Sequence, residues 1–131
     1  NNRTHMIRIP GEGRFELRLM DGSANPYLMQ AGIIAAGLDG INKRRNPGKP
    51  VFLNMYEESD KVKNLKKLPL SINESLNQLE NSEVLNKSFG KEVIKSYITL
   101  KNRELKNYKD QEGSIKNDHI TQWEKINTLD C

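Results

Sequence analysis

The sequence predicts an α+β fold, an antiparallel strand pair followed by several helices. Two observations carry this. The run Arg14-Phe15-Glu16-Leu17-Arg18-Leu19 alternates charged and apolar residues with period two, as a strand with one packed face does. After Asn25-Pro26 the apolar spacing changes to the helical three-and-four pattern and keeps it through most of the chain.

Thr4 to Ile9 reads as the first strand, ended by Pro10-Gly11, and Glu12-Gly13 turns the chain into a second strand from Arg14 to Met20. On that strand Phe15, Leu17 and Leu19 face one way, while Arg14, Glu16 and Arg18 face the other. Asp21 to Ala24 is a turn. Asn25-Pro26 then predicts a helix start, with Asn as N-cap and Pro at the first helical position. Leu28, Ala31, Ile34, Ala35, Leu38 and Ile41 form its expected core face, and Gly32, Ala36 and Gly37 would admit a second backbone closely. Gly40 and the cations Lys43-Arg44-Arg45 mark its end.

Asn46 to Tyr56 is a loop punctuated by Pro47, Gly48 and Pro50, and Glu57 to Leu68 is a polar, Lys-rich, exposed stretch. Ser71-Ile72-Asn73-Glu74 has capping-box spacing and predicts a helix to about Glu80. A cap at Ser82 or Ser88 leads into the longest helix, ending near Lys109, with Val93, Ile94, Tyr97, Ile98, Leu105 and Tyr108 as a narrow apolar stripe. Thr121-Gln122-Trp123-Glu124 is a second capping-box pattern, with Trp123 as a docking anchor.

Composition narrows the function classes. The 131 residues suffice for one small domain, yet 35% hydrophobic against 29% charged residues is low for a self-sufficient globule. The net charge of +4 is uneven: residues 1–50 hold eight basic and four acidic side chains, and residues 51–131 hold thirteen of each. The whole excess lies in the Arg-bearing half, which fits a local anion site better than a basic coat for nucleic acid. The single cysteine, Cys131, excludes an internal disulfide and fits a reducing compartment, so a cytoplasmic protein is expected. The longest apolar run, Ala31 to Leu38, is too short to span a bilayer, and no signal peptide is recognisable. The opening Asn1-Asn2-Arg3, without Met, is expected to be the start of a fragment.

Arg8, Arg14, Glu16 and Arg18 are the candidate site. Cation–anion–cation on one strand face suits an anionic ligand carrying a divalent metal, because Arg offers a planar fork for phosphate or carboxylate. An ordinary solvated face is the competing reading, since exposed ion pairs contribute only about 0–1 kcal/mol. Other chemistries are weaker. His5, His119 and Cys131 are too scattered for a zinc site, and Gly11-Glu12-Gly13 lacks the third glycine of a dinucleotide fingerprint.

Three segments in order, Asn2-Arg3-Thr4-His5-Met6-Ile7-Arg8-Ile9-Pro10, Arg14-Phe15-Glu16-Leu17-Arg18 and Ala24-Asn25-Pro26-Tyr27-Leu28, with Ala35-Ala36-Gly37-Leu38-Asp39-Gly40 after them, resemble glutamine synthetase, in the last part of its catalytic domain. The likeness is strong over residues 1–56 and suggestive beyond. The wording around Thr4-His5-Met6 and Gly13 to Leu19 is similar to the type III branch, which includes γ-glutamylmethylamide synthetases. The resemblance implies residues 1–24 as active-site strands, 25–45 as a core helix, 46–70 as a loop and 71–131 as peripheral helices of a larger domain.

It further implies an ATP- and Mg²⁺-dependent ligase (Mn²⁺ being the alternative metal) that activates glutamate as γ-glutamyl phosphate for attack by ammonia or a small amine. A dodecamer with active sites shared between subunits goes with it. Glu16 matches the family's metal ligand on this strand. Arg18 and Arg3 match arginines that bind glutamate and stabilise phosphoryl transfer, and Arg8 and Arg14 match nucleotide-phosphate ligands. The tyrosine that some bacterial members modify would fall at Tyr56, but Asn54-Met55-Tyr56-Glu57-Glu58-Ser59 departs from that loop, so a packed loop tyrosine is expected. The family's other metal and substrate residues lie upstream, so the fragment alone is expected to be inactive. Ammonia is the expected acceptor and methylamine the alternative; a non-catalytic anion-binding or assembly module is the rival from another class.

Overall fold

The computed structural model describes residues 4–20, 22–62, 65–114 and 119–128. The element order is β1 (Ile7–Gly11), β2 (Arg14–Leu17), α1 (Pro26–Asn42), α2 (Ile72–Glu80), α3 (Glu83–Phe89), α4 (Lys91–Glu112) and α5 (Gln122–Asn127), with a 3-10 turn at Ser59–Val62. The antiparallel pair followed by helices is the arrangement the sequence predicts.

The hairpin differs from expectation in one respect: β1 runs through Pro10 to Gly11 instead of ending before them. Arg8 pairs with Glu16 and Gly11 with Arg14, so Ile9 and Pro10 together face Phe15 in a β-bulge. A bulge is where a strand tolerates proline, whose nitrogen has no hydrogen to donate. Gly13, at φ +72°, takes the left-handed turn position that a side chain would strain.

Helix α1 starts as predicted, with Asn25 Oδ1 accepting from Tyr27 N at 3.1 Å and Leu28 N at 3.0 Å. Its end lies beyond Gly40. The left-handed residue there is Arg44, at φ 48°, and Asp39 ties the turn by receiving Lys43 Nζ at 2.7 Å and Arg45 Nη2 at 3.0 Å. Lys43 foremost, then Arg45, holds the Asp39 carboxyl below its ordinary range.

The expected core face of α1 is not buried. Ile34 is 61% and Ile41 73% exposed, Leu28 and Leu38 are also exposed, and no residue of the helix is fully buried. The cause is legible: α1 is apolar on nearly every side, as a helix enclosed by a larger body is, and among the described elements its packing is chiefly on α3. A Cβ added at Gly32 or Gly37 meets nothing within 4 Å, so among the described residues no second backbone approaches there.

Among the described residues the buried apolar side chains are Leu76, Ile94 and Tyr108, all on α2 and α4. Ser71 caps α2, accepting from Glu74 N at 3.2 Å, while Glu74 reaches back to Leu70 N at 3.0 Å, one residue beyond the usual box. The long helix starts later than predicted. Ser82 caps the separate helix α3, and Gly90, at φ +86°, breaks the chain before α4. Ser88 lies within α3.

Helix α5 is clasped to the end of α4. Trp123 meets Tyr108 edge-on at 5.5 Å, its backbone N–H donates to Glu112 Oε1 at 2.8 Å, and Thr121 and Glu124 form the predicted capping box. Hydrogen bonds from the Thr121 backbone, then from its hydroxyl, hold the Glu124 carboxyl below its ordinary value of 4.5. Among the described residues no helix is long and apolar enough to cross a membrane. Cys131 lies outside the described residues.

Two outcomes are expected. The chain expressed alone associates through the exposed faces of α1 and the hairpin, and Ile34→Lys with Ile41→Lys reduces the association seen by analytical ultracentrifugation. A sharp, reversible monomeric melt of the unmodified chain would contradict this. The Glu124 cap stabilises α5 above pH 4.5, its ordinary value, and is lost as pH falls through the lowered folded value. Fluorescence of Trp123, the sole tryptophan, should therefore hold steady down to pH 4.5 and change below it.

Candidate active site

Three of the predicted residues converge on the hairpin's charged face. Because Arg8 and Glu16 are register partners, their side chains leave the same face, and the bulge that follows Arg8 preserves that alignment. Arg8 Nη1 donates to Glu16 Oε1 at 3.0 Å and to Oε2 at 3.2 Å. Arg18, two residues along the same strand, donates to Oε2 from Nε at 3.3 Å and from Nη2 at 3.2 Å. The Arg18 backbone N–H also reaches Met6 O at 2.9 Å, extending the pairing past the last ladder residue.

Glu16 therefore sits between two guanidiniums. Hydrogen bonding from Arg8 foremost, with Arg18 adding to it, holds its carboxyl below the ordinary 4.5 against a smaller opposing effect of desolvation. The carboxylate stays charged throughout the neutral range. Arg14 shares this face by alternation but lies at the turn end, exposed, with no ion pair among the described residues. Arg3 lies outside the described residues. The pairing of Arg8 with Glu16 was not readable from spacing, because counting back from the turn without the bulge shifts the register by one residue.

The opposite face of the hairpin is apolar and open, with Phe15 59% exposed and Leu19 and Ile9 likewise uncovered. The packed face predicted for this strand has no partner among the described elements. Among the described residues the site is thus a charged wall on an open hairpin. Tyr56 corrects another expectation, for its ring is exposed rather than packed. Its loop is held by Asn54 Oδ1 accepting from Tyr56 N at 3.2 Å and by a Glu58–Lys61 ion pair.

The donor set can be tested against a divalent metal and a phosphate. Glu16 offers hard oxygens of the kind Mg²⁺ takes, and flanking guanidiniums offer paired N–H groups to phosphate. Among the described residues no group of three or more His, Cys, Asp or Glu gathers to hold a metal. Among the described residues, Glu16 is therefore one carboxylate that could contribute to a metal site and does not make one alone.

The sequence matches the family described as "Glutamine synthetase, catalytic domain" over residues 1–123. The chain belongs to the glutamine synthetase catalytic-domain family. The match runs well past residue 56, where the likeness in the sequence was strongest, and takes in α2, α3 and α4. Among relatives, the glutamine synthetase of Rhizobium meliloti is 45% identical over 130 residues, 99% of this chain and 28% of its own length. The glutamate–methylamine ligase of Methyloversatilis universalis is 40% identical over 127 residues, 95% of this chain and 26% of its own length. A solved structure described as a GmaS/ADP complex is 45% identical, covers all of this chain and 28% of its own, and superposes with a TM-score of 0.76. The chain thus spans about 28% of the length of the curated relatives it matches. Similarity to this glutamine synthetase-like structure agrees with the predicted fold class.

The direction of the Glu16 shift yields a measurable outcome. The ion-paired arrangement is complete above pH 4.5 and is lost as pH falls through the lowered folded value. A metal-free carboxyl NMR titration should place the Glu16 midpoint below 4.5, and Arg8→Met should move it upward.

Proposed function

We propose that the chain is the C-terminal part of an ATP-dependent glutamate–ammonia ligase, supplying one wall of an active site that the rest of the protein completes. The observation that supports it is the convergence of Arg8, Glu16 and Arg18 on one strand face in a member of this family. ATP and a divalent metal, Mg²⁺ or Mn²⁺, are the proposed cofactors, and glutamate and ammonia the substrates. Further copies of the subunit complete the shared sites of a dodecamer.

In this reading Glu16 contributes an oxygen ligand to the metal, which supplies charge neutralisation at the phosphates when bound. Arg18 and Arg3 grip the substrate carboxylate and the transferring phosphoryl group, and Arg8 and Arg14 hold the nucleotide phosphates. Phosphoryl transfer asks the protein mainly to position cations around spreading negative charge, and guanidiniums in rigid strand positions do that. A glutamate γ-carboxylate oxygen attacks the γ-phosphorus of ATP and ADP departs. Ammonia then attacks the activated carbonyl carbon, phosphate leaves, and the nitrogen gives up a proton.

A second acceptor is favoured by specific observations. One relative is named glutamate–methylamine ligase and the solved neighbours are GmaS structures. Methylamine in place of ammonia would leave every role above unchanged, since the acceptor meets the carbonyl carbon and not the phosphate wall.

In the complete protein, Arg18→Lys keeps the charge and loses the fork, and should lower kcat by about 10²–10³-fold. Glu16→Ala should weaken metal affinity and abolish most Mg²⁺-dependent ATP turnover. Unchanged affinity and rate would remove Glu16 from the site. Comparing kcat/KM for ammonia and methylamine separates the acceptors. Polyanion binding that ignores Mg²⁺ and falls steeply with salt would instead favour the non-catalytic module.

A further inference from the structure

We draw no further inference here: the strongest candidate, the groove between α3 and α4 lined by Ile94 and Ile98 with Glu83, Lys87, Lys91 and Lys95, rests on a helix N-terminus and a rim of both charges, and nothing in the structure shows what covers it.

Discussion

The ion pair that joins Arg8 to Glu16 across the hairpin is the contact on which the candidate site depends. It places a cation from one strand and an anion from the other on a common face, and Arg18 closes the group from the far side. The bulge at Ile9-Pro10 lets this happen. Without the extra residue, the register would move by one and Arg8 would leave from the opposite face. Gly13 at positive φ and Pro10 within the bulge are the local features that set the register, so the backbone irregularities and the charged group form one unit.

Around that unit the chain divides in two. The hairpin and α1 expose Ile9, Phe15, Ile34 and Ile41, far more apolar surface than an independent element keeps in water. The helices from α2 onward hold the buried side chains Leu76, Ile94 and Tyr108, and the α5 clasp through Trp123 and Glu112. The region that carries the candidate chemistry is thus the one least able to bury itself. A site lined by arginine needs walls that exclude water before its electrostatics become strong, and α1 and the apolar side of β2 are surfaces suited to receiving such walls.

Much of this was legible in the residues. Local signals did well wherever the determining contacts are a few residues apart: Asn25-Pro26 starts α1, Ser71 starts α2, and Thr121 with Glu124 caps α5. The break at Gly90 was missed because the apolar spacing continues on both sides of it, and only a positive φ separates α3 from α4. Gly40 and the Lys43-Arg44-Arg45 run mark the end of α1 by residue type, and the helix does end between them at Asn42, where the side chain of Asp39 holds the turn and Arg44 takes the left-handed position. The burial of α1 was misjudged because periodicity ranks the faces of a helix but does not say whether a partner exists.

By itself the sequence determined the element types, their caps, the charge alternation of β2 and the family to which the chain belongs. These rest on interactions between near neighbours or on residue identity. Only the tertiary structure decided which arginine meets Glu16, because a cross-strand pair depends on the count of residues through the turn and bulge. It alone decided, too, that the apolar faces of α1 and β2 stand open, since burial depends on the surfaces brought against a residue and not on the residue itself.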